Sequence, residues 1–259
     1  MFYDTDDFDV LAGNFFQAWN NGPHQDRPWD VDIATGVQRF YANIFRAARR
    51  YHDGFIGGLR RPNVWAKLKY NALDKDKKRW NGYNEGNTLR IIKLARYDGD
   101  REFNSDEIFS TTIHETAHSS HSRIMNIGDI QLAFSVNAII RESWPTAIEL
   151  YITQMEYRER GIPNYGAIDD VTSEGFPSQR GYQLWNGTNT EYTPLFIDLV
   201  DNFNQRGLGS RVNDNITGFT LEQIEPLLKH VYGLYTLGKE LKTIKQNGVT
   251  DAQIDEFLA

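Results

Sequence analysis

His114, Glu115 and His118 stand in the order HETAH, and on an α-helix that order has a chemical meaning. Residues four apart lie about 40° apart around a helix and about 6 Å apart along it, so the two imidazoles point the same way and can meet one metal ion. Glu115 projects roughly 100° from His114, beside such an ion rather than on it. From there its carboxylate can take a proton from a metal-activated water and pass it to a leaving amine, which makes it a candidate general base. Three of the six histidines, His114, His118 and His121, fall within eight residues.

A catalytic zinc site takes three protein ligands and leaves one position open for water. His121 shares the face of His114 but lies about 10 Å further along the axis, out of reach of the same ion. It is therefore expected in a second shell or in the cleft. Better candidates for the third ligand lie between residues 130 and 160, a run that is apolar nearly all round yet carries Glu142 and Glu149. An apolar element does not bury carboxylates without strong partners. The two glutamates are seven residues apart and so about 20° apart on one face. One can bind the ion while the other orients a ligand imidazole or binds a neighbouring Arg or Lys, and for Glu149 a plain buried ion pair is as consistent with the sequence as a role beside the ion.

The elements that must hold these residues follow from periodicity. Residues 36 to 52 place Val37, Phe40, Tyr41, Ile44, Phe45 and Ala48 at helical spacing. Residues 63 to 70 alternate as a strand, residues 89 to 97 form a second strand, and the stretch LDKDKKRWNGYNEGN between them reads as a loop. Asn104 with Glu107 makes a capping box that starts a helix running to about Ser122, with HETAH inside it. The apolar run from 130 to 160 predicts one buried helix, kinked at Pro145. After a polar connection from 161 to 187, residues 192 to 204 read as helical, and Thr220 with Gln223 opens a last helix. The expected class is α+β, with strands in the first half and a mostly helical second half.

Composition narrows the function classes. Across 259 residues, 28 Lys and Arg stand against 35 Asp and Glu, a net charge of −7 with no basic stripe, which argues against nucleic acid as the main partner. With no cysteine, disulfides, zinc ribbons and thiol catalysis are excluded. No apolar run approaches the ~20 residues that span a bilayer, so no membrane span is expected. The opening MFYDTDDFDV has neither the basic start nor the apolar stretch of a targeting segment.

The segments TTIHETAHSSH and IIRESWPTAIELY together resemble the gluzincin group of zinc metallopeptidases, in which an HExxH helix is followed by a helix supplying a glutamate. The resemblance implies one zinc per chain held by His114, His118 and Glu142, with Glu115 as general base and Glu149 at an acidic position near the site. It implies a single zincin-like catalytic domain over 1–259, with an α/β subdomain to about 125, whose small sheet packs on the HETAH helix, and a helical one beyond. It also implies a peptide or protein substrate laid along an edge strand, here residues 89 to 97. YTPLFIDLVDNFNQ and DNITGFTLEQIEPLLK are similar to zinc peptidase-like lipoproteins of Bacteroidetes, which implies an extracytoplasmic location. The proline in ESWPTA departs from the group's pattern. No residue matches the group's transition-state donor outright; Tyr182, Tyr192, His230, Tyr232 and Tyr235 are candidates, with Tyr192 favoured.

Two rival readings remain: a zincin scaffold that binds without catalysis, and a helical glycan-binding protein in which HETAH is coincidental. An intact Glu115 speaks against the first. The aromatic residues that suggest the second fill cores more often than they stack on sugars.

Overall fold

The computed structural model describes residues 7–12, 36–53, 58–62, 67–74, 82–84, 91–162, 191–202, 213–245 and 248–259. Its strands are β1 (Phe8–Ala12), β2 (Leu68–Leu73), β3 (Gly82–Asn84) and β4 (Ile91–Ala95), with a small hairpin of β5 (Tyr97–Asp98) and β6 (Arg101–Glu102). Its first helices are α1 (Gly36–Asp53), α2 (Ser105–Ile124), α3 (Asp129–Ser135) and α4 (Ala138–Glu159). Beyond residue 190 come α5 (Leu195–Asp198), α6 (Leu221–Ile224), a 3-10 turn over Glu225–His230, α7 (Leu234–Ile244) and α8 (Asp251–Leu258). The class is α+β, with the strands in the first half of the chain, as expected.

The four-stranded sheet runs β1-β2-β4-β3. β1, β2 and β4 are parallel, while β3 lies antiparallel to β4, with Gly82 opposite Leu94 and Asn84 opposite Ile92. Two sequence expectations are corrected here. The stretch that reads as a loop contains β3, and the strand expected at an edge over 89–97 runs over Ile91–Ala95 and is interior, with residues 89 and 90 outside the described residues. Among the described strands β3 lies at one edge of the sheet and β1 at the other. Of the strand expected over 63–70, residues 63 to 66 lie outside the described residues, and the strand itself runs on to Leu73.

α1 buries Phe40, Ile44, Ala48 and Tyr51, and its apolar side meets Phe8, Tyr70 and Ile92 from the sheet. α2 lies between two apolar clusters. Ile108 joins the sheet core, while Phe109, Ile113 and Ala117 join a second cluster with Ile140, Trp144 and Ile148 of α4. The capping box at the start of α2 is formed, with the Asn104 N–H donating to the Glu107 carboxylate at 2.7 Å.

The helix expected to run buried from 130 to 160 is in fact two, and in the first of them Gln131, Ala133, Phe134 and Ser135 are exposed, with Leu132 alone buried among its described side chains. Val136 is extended between α3 and α4, and the Asn137 N–H is taken by the Tyr232 carbonyl at 2.9 Å, which ends one helix and starts the next. The Asn137 side chain caps α4 by accepting the Ile139 N–H. α4 then continues through Pro145.

Helix over 192–204 reduces to the single turn of α5 within the described residues, because the Leu199 carbonyl accepts from Phe219 rather than from a further turn. The capping box of Thr220 and Gln223 is present, but Pro226 lacks the N–H for a regular helix and the chain continues as a 3-10 turn. That element is not the last, since α7 and α8 follow. No described helix is long and apolar enough to cross a membrane.

Candidate metal centre

The rotation of α2 about its own axis decides where its histidines point. On its sheet-facing side Thr116 donates to the Thr112 carbonyl at 2.7 Å and accepts from the buried Tyr70 hydroxyl at 2.8 Å. At β3, Asn84 donates to the Ser119 hydroxyl at 2.5 Å. Gly82 permits that approach: a Cβ there would stand 2.8 Å from Thr111 Cγ2 and 3.2 Å from Glu115 Cγ. With α2 fixed in this way, the opposite side carries His114 and His118 toward α4.

There His114, His118 and Glu142 bring one ligand atom each to within 4.8 Å of one another. His114 Nε2 and His118 Nε2 are 3.2 Å apart. Glu142 Oε2 is 3.1 Å from His118 Nε2 and 3.7 Å from His114 Nε2. These separations can be tested against a metal. Ligands about 2.05 Å from a tetrahedral zinc lie about 3.3 Å from one another. For the triangle found here, a point about 2.05 Å from all three atoms stands about 0.6 Å off their plane, against about 0.7 Å in a regular tetrahedron. The separations of the three donor atoms fit a divalent ion.

Charge agrees with geometry. Glu115, Glu142 and Glu149 are 7%, 8% and 5% exposed. The guanidinium of Arg141 reaches Glu142, its Nε donating to Oε1 at 2.8 Å. Three buried carboxylates against one guanidinium leave two negative charges, which a divalent cation balances; unbalanced, they would be costly to bury. A proton can occupy the same place: with no ion between them, burial alone would lower the pKa of His114, but hydrogen bonds to Glu142 and Glu149 raise it to about 10. Burial likewise favours the neutral form of Glu142, yet hydrogen bonds from His114 and His118 and from Arg141 hold it well below the usual carboxylate range.

The second glutamate of α4 has the other role open to it. His114 Nδ1 lies 2.8 Å from Glu149 Oε2, so Nδ1–H donates to Glu149, and Nε2 is the nitrogen that faces the site, where an ion would take the place of its proton. Glu115 accompanies the donor set without joining it. Its carboxyl pKa is raised, first by burial, despite the pull of His118 and His114.

Among the candidate hydrogen-bond donors, Tyr192 alone has a described contact with the site. Its ring lies 5.8 Å from that of His114; although the residue is 40% exposed, the partial burial of its phenol, with Glu142 and Glu115 nearby, keeps it protonated. Ser143 holds it there. The Ser143 hydroxyl accepts from the Thr193 N–H and donates to the Glu191 carbonyl, both at 3.0 Å, on either side of Tyr192. Tyr182 lies outside the described residues. His230 is exposed, and Tyr232 and Tyr235 are 47% and 80% exposed.

His121 is fully buried, so it does not line a cleft, and neither of its ring nitrogens has a hydrogen-bond partner among the described residues. Burial lowers its pKa to about 3. Sequence reasoning missed Gly82, Asn84, Arg141 and Ser143. Arg141 carried a signal, being a charge in an apolar run directly before Glu142, whereas Gly82 and Asn84 carried none. Away from this site Asp198, Asp201 and Asp214 also approach one another, but a group of acidic residues alone does not make a metal centre.

Compared with known proteins, the chain matches no protein-family model and no curated sequence.

Proposed function

We propose that the protein is a zinc-dependent peptidase, with His114, His118 and Glu142 holding one zinc and Glu115 acting as general base. The observation that carries this reading is the tetrahedral spacing of three donors, His114 and Glu142 buried and His118 half-buried, with a buried carboxylate one residue from the first of them. Two imidazoles and one carboxylate are the donor set of thermolysin-type catalytic zinc, whereas calcium and magnesium take oxygen ligands. The ion would supply a Lewis acid that makes water nucleophilic near neutral pH.

The protein's own groups account for the remaining steps. Glu149 fixes the tautomer and orientation of His114. Glu115, with its raised pKa, is suited to accept a proton and give it up again to the leaving amine. The protonated Tyr192 phenol, whose ring lies beside that of His114, would donate a hydrogen bond to the negative charge that develops on the scissile carbonyl oxygen. β3 lies against the turn of α2 that bears Glu115, so an extended peptide pairing with this edge strand would pass the base. Backbone pairing of this kind favours a broad range of peptides over one sequence.

The test is metal analysis of protein purified without chelator, followed by assay against a broad peptide library. About one equivalent of zinc together with hydrolysis is expected. Less than about a tenth of an equivalent of any transition metal, even after zinc is supplied, overturns the reading. Bound zinc with no hydrolysis by wild type would leave a zincin-like binding protein instead.

A further inference from the structure

We propose that Arg141 is a positioning residue that restricts Glu142 to one-oxygen coordination of the metal and ties that carboxylate to the backbone of α3. The proposal rests on the metal-site reading above. The two oxygens of Glu142 have separate partners: Oε2 faces His118 and His114, and Oε1 accepts from Arg141 Nε at 2.8 Å. Two-oxygen coordination would require Oε1 to swing toward the ion and give up that bond.

The guanidinium cannot follow such a swing, because it is held at a second point. Its Nη1 donates to the Ala133 carbonyl at 2.8 Å, in the last turn of α3, where helix carbonyls lack intrahelical partners and a cation is favoured. A rigid planar fork anchored at two points fixes a carboxylate oxygen in a way a single ammonium cannot. The side chains of Arg141 and Glu142 are 21% and 11% exposed, so the contact between them is largely shielded from water, whereas the bond to the Ala133 carbonyl lies at the surface. Keeping Oε1 off the ion leaves the fourth position free for water and a substrate oxygen.

A purely structural Arg141 would only cap α3. The two roles separate in the cobalt-substituted protein, whose visible spectrum reports coordination number. In Arg141→Leu the cobalt absorption should weaken as coordination rises from four to five, and zinc affinity, measured by competition with a chromophoric chelator, should fall roughly 10- to 100-fold. Arg141→Lys keeps the charge without the two-point grip and should show the same spectral change. The melting temperature of each metal-free variant gives the structural contribution alone.

The proposal is overturned if both variants fold and keep the wild-type spectrum with zinc affinity within about twofold. It is also overturned if only the metal-free melting temperature changes, or if neither variant folds, since Arg141 is then a structural residue. If Arg141→Leu prevents folding but Arg141→Lys does not, the lysine variant decides by the same spectral and affinity readouts. Wild-type protein that binds neither cobalt nor zinc defeats the metal-site reading itself, which is a different outcome.

Discussion

His114 Nδ1 and Glu149 Oε2 meet at 2.8 Å across 35 residues of chain, so Glu149 and Glu142, two of the four glutamates of α4, face different nitrogens of the same ring. Because Nδ1 carries the proton given to Glu149, only Nε2 of His114 is free for an ion, and Nε2 faces Glu142.

Replacing Glu142 by Gln should therefore abolish tight zinc binding, since it removes one of three donors and its charge. Replacing Glu149 by Gln leaves all three donors in place and should weaken binding by a lesser factor, roughly 10- to 100-fold. Chelator competition on the two variants checks the order, and a reversed order would exchange the roles.

Glu115→Gln should retain zinc and the wild-type melting temperature while losing nearly all peptide hydrolysis, because only the proton acceptor is removed. A variant as active as wild type would remove Glu115 from the mechanism. The comparison is cleaner than any ligand change, which confuses loss of metal with loss of chemistry.

At Gly82 an added Cβ would press on Thr111, Leu94 and Glu115 at 2.8, 3.0 and 3.2 Å. Gly82→Ala should cost about 1–3 kcal/mol by overpacking, read by denaturant unfolding, and should lower turnover more than metal affinity by displacing Glu115. Unchanged stability and turnover would show that β3 can shift without cost.

Asp214 gives a pH dependence away from the site. Burial, then the charge of Asp201, pushes its pKa from the ordinary 3.8 up to about 8. Between those values the folded protein holds a proton that the unfolded chain has released, so this group's contribution to stability declines as pH rises from about 4 to about 8. Asp214→Asn cannot release that proton. It should be more stable than wild type at pH 8, by at least about 1 kcal/mol, with the difference vanishing near pH 4. Equal stability of the two proteins at both pH values would contradict the raised pKa.

What the sequence determined by itself was local. Two imidazoles four residues apart must share a helix face, and Asn104 with Glu107 must cap that helix three residues apart, so α2 and its donor pair were legible from spacing alone. Glu142 and Glu149 could be singled out as carboxylates in an apolar run, but on one face about 20° apart they are equivalent until the offset between α2 and α4 along their axes is known. That offset is set by packing of Phe109, Ile113 and Ala117 against Ile140, Trp144 and Ile148, contacts distant in sequence. β3 was illegible for a related reason: Gly-Tyr-Asn has no strand periodicity, and its conformation comes from hydrogen bonds to β4 and from Asn84 on Ser119. The break between α3 and α4 depends on a carbonyl at Tyr232, far along the chain. The donor pair could be read because helical geometry relates near neighbours by fixed angles. Which carboxylate approaches the two imidazoles, the position of β3 beside α2 and the contacts of Arg141 required the tertiary structure, because no such rule relates residues brought together only by folding.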